Sequence, residues 1–197
     1  MKKNLTTMIL LALFVAIEII FCFTPLGSLP LGPGIVATLS YIPPLVAALI
    51  LGYRSGCFMG GVFGVCSLVV WSTSLLASPS AFAFTPLAPN GNVFSLVICL
   101  LPRILFPLVA VWLYQLLSKK MNRAVSAGIA GGIATLFHSF LVLSMIYLCF
   151  RGQEIVGSSY LTLLLAWGGV NAIMEILVGA VVCAGLVPPL HKMRTVK

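Results

Sequence analysis

Acidic side chains are almost missing from this chain. There are three Asp and Glu among 197 residues, against eleven Lys and Arg, and charged types together make up only 7%. A soluble domain carries roughly 25% charged residues, so the material for a water-facing surface is absent. With 61% hydrophobic residues and a mean hydropathy of +1.19, the chain reads as an integral membrane protein. A soluble enzyme, a nucleic-acid binder and a disordered tail are set aside. The net charge of +8 does not point back to nucleic acid, because the basic residues sit at the ends of apolar runs rather than along one face. The six cysteines (Cys22, Cys57, Cys66, Cys99, Cys149 and Cys183) include no C-x-x-C pair, so each reads as a small apolar residue of a packed helix. A G-x-S-x-G elbow, a Walker motif and an acidic pair at metal-ligand spacing are also missing. No enzymatic activity, ATP hydrolysis or cofactor is implied.

What is present is a set of six apolar stretches, Leu5–Phe23, Ile35–Leu51, Gly56–Leu76, Val93–Leu117, Ala124–Phe150 and Tyr160–Leu186. A bilayer core needs about 20 apolar residues of helix. The expected fold is therefore an all-α membrane protein, a single domain over residues 1–197 with six transmembrane helices. Glu18 interrupts the first run and no small-residue cleavage site follows it, so that run is expected to be a retained helix rather than a signal peptide. If the N-terminus is inside, nine of the eleven basic residues fall in inner segments, only Arg151 is outside, and Arg103 lies within a span. The positive-inside rule then places both termini in the cytoplasm.

The inner connections are short, whereas the outer segments 24–34 and 77–92 are long and rich in Pro, Gly, Ser and Asn. Each carries a similar phrase, Phe23-Thr-Pro-Leu-Gly27 and Phe84-Thr-Pro-Leu-Ala88, too short to be an internal repeat. Stiffened apolar loops on one face suit a lid over a cavity, or plain connectors. Gly56, Gly60 and Gly64, then Ala124, Gly128 and Gly132, place small residues every fourth position, the spacing that lets membrane helices approach closely. Ala12 and Ala16 repeat it in the first span. Pro43-Pro44 predicts a kink or a late helix start in the second span.

Ionisable groups inside a span cost about 2.5–3.5 kcal/mol each on insertion scales and mark function or a buried pair. Glu18, Arg103 and Glu175 qualify, all placed between the outer leaflet and the midplane. Trp167, Asn171 and Glu175 are four residues apart and stack on one helix face, as a pocket wall for a small polar molecule would. Trp71, Phe82 and Phe84 are candidates for further wall. His138 reads as a satisfied core histidine, and Tyr41, just before the paired prolines, is open between packing and binding. Arg103 suits a carboxylate, while the two Glu would equally suit a cation.

The stretch Ala37–Gly56 with Gly60-Gly-Val-Phe-Gly64, and the preceding Phe23–Pro33, resembles the substrate-binding S components of energy-coupling factor (ECF) vitamin transporters. Leu101-Pro-Arg103 is similar to a phrase that opens the fourth helix in the pantothenate-type branch. The chain departs from that branch at Tyr41 and in its second proline. The resemblance implies a six-helix receptor in the bacterial cell membrane, with a vitamin site built from the outer loops and the outer halves of helices four to six. It implies Ala12 and Ala16 as the docking surface for a transmembrane coupling subunit, with two cytoplasmic ATP-binding-cassette subunits supplying energy. Pantothenate is the expected ligand, with folate, riboflavin, thiamine or pyridoxine as alternatives. A structural membrane scaffold is the competing reading, and an intramembrane lipid enzyme is a third for which the chain offers no nucleophile or metal site.

Overall fold

The computed structural model describes residues 2–32, 35–73, 79–151, 156, 159–165 and 169–195. Five helices among them are long and apolar enough to cross a membrane: α1 (Lys2–Phe23), α3 (Tyr53–Thr73), α4 (Val93–Leu117), α5 (Arg123–Cys149) and α7 (Gly169–Thr195). Between them lie the 10-residue α2 (Ile42–Leu51) and the single turn α6 (Tyr160–Leu163).

The second apolar stretch is not one continuous helix. Its first part, Ile35–Thr38, is strand β2, paired antiparallel with β1 (Ser28–Gly32) in a hairpin, with Ser28 opposite Thr38. The helix begins only at Ile42, so that Pro43 and Pro44 fall in its first turn, where the amide that proline lacks has no helical partner anyway. The late start expected from the paired prolines is thus observed, and the chain is a helical bundle, as expected, that carries this one short hairpin among the described residues. At about 1.5 Å per residue, α2 alone is half the length a bilayer core requires. Within the sixth stretch the described residues carry α6 and the longer α7.

Turn chemistry fixes the ends. Gly52 has φ 92°, a region open to glycine, and its N–H closes α2 on the Ala48 carbonyl at 2.8 Å before α3 starts at Tyr53. Asn92 caps α4 by accepting from the Phe94 amide at 2.9 Å, while Ser95 Oγ accepts from the Asn92 amide at 3.1 Å. Asn122 accepts from the Ala124 amide at 2.7 Å and so caps α5.

Packing follows the small-residue stripes. A Cβ on Gly60 would overlap the Arg103 carbonyl, and one on Gly64 would come 2.8 Å from a Leu100 methyl, so this stripe lies directly on α4. The α4 carbonyl at Arg103 is the one that Pro107 leaves without its helical donor. Gly128 and Gly132 face Ala180 in the same manner, bringing α5 against α7.

Two buried clusters result. One joins α2, α3, α4, α5 and α7 around Leu45, Phe106 and Ala130; the other joins the 79–88 segment to α4 and α5 around Phe82, Ile98 and Ile146. The segment carrying Phe82 is held by Ser95 Oγ donating to the Phe82 carbonyl at 2.6 Å and by a 2.8 Å contact between the Ser72 and Thr85 hydroxyls. The two Thr-Pro-Leu phrases adopt different structures. Pro25–Gly27 is a 3-10 turn running into β1, whereas the second phrase follows a 3-10 turn at Pro79–Ala83.

Candidate functional site

A cavity of about 250 Å³ opens where the two clusters meet. Its lining comes from Cys22 at the end of α1, Ser28 and Thr38 of the hairpin, and Ser40 and Tyr41 before α2. The second half of α3 (Phe63, Ser67, Val70 and Trp71), Phe84 of the 79–92 segment, Arg103, His138 and Glu175 complete it. The C-terminal ends of α1 and α3, the N-terminal half of α4 and the first turns of α7 all converge at one end of the bundle. Both long connections contribute to the wall. A larger groove, about 480 Å³ and lined by Ile19, Phe58, Val62, Leu100 and neighbours, runs along α1 and α3. Its wall is nearly all hydrocarbon, as suits contact with lipid or another helix rather than a polar solute.

Arg103 is the cation of the polar cavity and is only 5% exposed. Its Nη1 donates to the Cys99 carbonyl one turn back, at 2.6 Å. The guanidinium lies between two rings, 5.1 Å from the centroid of Phe63 and 5.3 Å from that of Phe84. Phe84 is itself stacked on Trp71 at 4.9 Å. This ladder holds the guanidinium plane while leaving Nε without a hydrogen-bond partner among the described residues. A fixed planar fork with an unused Nε donor has the chemistry to take a carboxylate.

Leu101-Pro-Arg103 does not open α4. It lies in the interior of the helix, and Pro102 is accommodated there as prolines are in membrane helices whose neighbours repair the broken ladder.

The other expected residues divide. Tyr41 is buried, and its hydroxyl donates to the Glu175 main-chain carbonyl at 2.6 Å, tying the start of α2 to α7. Glu175 lines the cavity opposite Thr38, whose hydroxyl and amide interact with its carboxyl. Glu18 is fully buried but does not line the cavity. It sits one turn behind Cys22, whose thiol donates to Oε1 at 3.1 Å, while Oε2 has no partner among the described residues. Asn171 lies one turn before Glu175 on α7 and is not among the described lining residues. Trp167 lies outside the described residues. Phe82 belongs to the packed cluster rather than the wall. His138, read from sequence as a satisfied core residue, instead lines the cavity, and its buried Nε2 has no hydrogen-bond partner among the described residues. The hydroxyls of Ser28, Thr38, Ser40 and Ser67 were not anticipated, because such residues are unremarkable in membrane helices and loops.

A bundle of membrane-length helices that encloses a small polar cavity around a fixed cation defines a solute-binding membrane protein. The chain belongs to the substrate-specific components of ECF transporters: the model of that family matches residues 6–190. It is a transporter family rather than an enzyme family. The chain is similar to the pantothenic acid transporter PanT of Lactococcus lactis subsp. cremoris, 30% identical over 98% of this chain and 97% of the relative. It is also similar to the pantothenate transporter PanT of Leuconostoc mesenteroides, 28% identical over 94% of this chain and 93% of that one. Among solved structures, ThiT from Listeria monocytogenes superposes with a TM-score of 0.64, covering 96% of this chain and 98% of that one at 16% identity, and so shares the fold.

Proposed function

We propose that the chain is the membrane receptor of an ECF-type importer and that its ligand is pantothenate. The observation that carries this reading is Arg103, immobilised between Phe63 and Phe84 with donor capacity to spare, in a cavity of about 250 Å³. Ligand cavities commonly span about 300–1,000 Å³, so this one suits a compact carboxylate bearing hydroxyl and amide groups better than a larger vitamin. The names of the two relatives support the choice of ligand. Of the residues expected from the sequence, Tyr41, Trp71, Phe84, Arg103 and Glu175 line the cavity and are proposed as its ligand contacts.

Nine of the eleven basic residues fall in segments that the positive-inside rule assigns to the cytoplasm, which supports six spans in one domain, with both termini inside and the cavity open to the exterior. Delivery requires an energised partner, since the chain carries no nucleotide-binding motif of its own. A transmembrane coupling subunit docking on Ala12 and Ala16, with two cytoplasmic ATP-binding-cassette subunits, fills that role. Both alanines are exposed on a helix whose large apolar side chains are exposed too. The test is a thermal-shift panel of pantothenate, thiamine, riboflavin, folate and pyridoxine on the purified protein. Pantothenate alone is expected to raise the melting temperature, as a ligand that binds only the folded state must; no shift with any of the five would overturn the receptor reading.

A further inference from the structure

His138 is the cavity-lining group that the carboxylate receptor leaves unused. Its ring packs 5.0 Å from Phe106 and 6.4 Å from Phe63, and its Nε2 is sealed from solvent with no hydrogen-bond partner among the described residues. Buried imidazoles ordinarily pair their ring nitrogens, and an unpaired one in an apolar wall is unfavourable unless a ligand completes it. Phe63 carries the guanidinium of Arg103 and also touches the imidazole, so one ring spaces the two polar groups along the wall. A ligand a few bonds long therefore reaches both. With Arg103 in the same cavity to take the acid, His138 is left to partner an uncharged group of the ligand rather than a second anion.

We propose that His138 is a specificity-determining residue that hydrogen-bonds the uncharged hydroxyl–amide portion of the ligand whose carboxylate Arg103 holds. The proposal rests on the receptor reading above and assigns the two ends of the ligand to two helices, the acid to α4 and the neutral portion to α5.

The experiment measures affinities of the purified full chain for pantothenate and for its alcohol analogue, in which the carboxyl group is replaced by CH2OH. Wild-type protein is expected to prefer the acid by about tenfold or more, because Arg103 loses its charged partner in the alcohol. His138→Phe and His138→Leu are expected to weaken both ligands by about tenfold and to leave their ratio unchanged, since both ligands keep the neutral portion. His138→Gln, which retains a donor and an acceptor, is expected to recover most of the loss. Arg103→Lys is expected to do the opposite, narrowing the ratio. The comparison is read on whichever apolar replacement keeps the ligand-free melting temperature.

An apolar His138 variant that binds both ligands within about twofold of wild type, or that changes their ratio, overturns the assignment while leaving the receptor reading intact. Wild-type protein that binds neither ligand overturns the receptor reading itself, and the two failures are told apart on that measurement.

Discussion

Helices α1 and α4 are equally apolar to the eye, yet they do opposite things. Of the most hydrophobic window of α1, 6% of residues are buried inside the protein, against 44% for α4. Leu5, Met8, Ile9 and Leu13 of α1 are more than half exposed, and among the described side chains of that helix the one fully buried is Glu18. The interior of α4 instead carries two prolines, an arginine and Cys99, and α3 packs directly on it through Gly60 and Gly64. The lesson is about the driving force. In lipid, apolar surface gains little by leaving hydrocarbon, so burial is decided by close backbone approach and by polar groups that must be sheltered. On that logic α4 belongs to the site, and α1 offers a face that lipid or a partner covers.

The largest effect expected on the α4 side is at Arg103. Arg103→Gln is expected to weaken pantothenate binding by about 2–5 kcal/mol, the range for removing one partner of a desolvated charge pair, as read by titration calorimetry. An affinity within about threefold of wild type would remove α4 from the site and erase the contrast with α1. Next comes the spacing of α3 and α4. A methyl group on Gly60 would strike the Arg103 carbonyl, whereas one on the neighbouring Gly61, which faces the lipid-side groove, would meet nothing within 4 Å. Gly60→Ala is expected to destabilise by about 1–3 kcal/mol through overpacking. Gly61→Ala is expected to be neutral or stabilising by up to about 1 kcal/mol, because alanine is the better helix former. Thermal melts of the pair check this, and equal shifts would show that the small-residue stripe is not what sets the approach. Smaller again is Tyr41→Phe, which removes one 2.6 Å hydrogen bond to the Glu175 carbonyl. It is expected to cost about 0.5–1.5 kcal/mol of stability, with a loss of affinity no larger than that.

The same logic explains which features were legible in the sequence. Arg103, Glu175, Trp71 and Tyr41 stand out because charge or a polar-tipped ring is rare enough in an apolar run to require a reason; these four, and Phe84 of the loop that follows the third span, line the cavity. Cys22, Ser40, Ser67 and Phe63 line it too, but small polar and aromatic residues recur throughout the spans and carry no positional signal. Asn171 shares a helix face with Glu175, yet spacing along one helix cannot say how far the cavity extends, and it stops short of Asn171. The β1–β2 hairpin was hidden because Pro30 argues against a strand interior, and because Ile35–Leu51 is apolar throughout, which hydropathy cannot divide into strand and helix. His138 was misread for a related reason. Its neighbours in sequence are those of a core helix, and only the packed structure shows that its Nε2 has no hydrogen-bond partner among the described residues.

The smallest expected effect on binding tests the other half of the comparison. Ala12→Leu and Ala16→Leu add bulk to exposed positions of α1, a helix whose contribution to the cavity wall among the described residues is Cys22. Substitutions of this kind away from packed or polar features usually change stability by no more than about 0.5 kcal/mol, so pantothenate affinity is expected to stay at the wild-type value. Uptake into cells or vesicles that contain the coupling subunits is nevertheless expected to be lost, because an added isobutyl group keeps a partner helix from approaching at the distance that alanine permits. Two measurements on one variant thus separate capture from delivery. Uptake that survives both substitutions would mean that α1 faces lipid alone. Binding lost with uptake would mean that α1 reaches the cavity through more than Cys22, and the distinction between a helix that builds the site and a helix that presents it would fail.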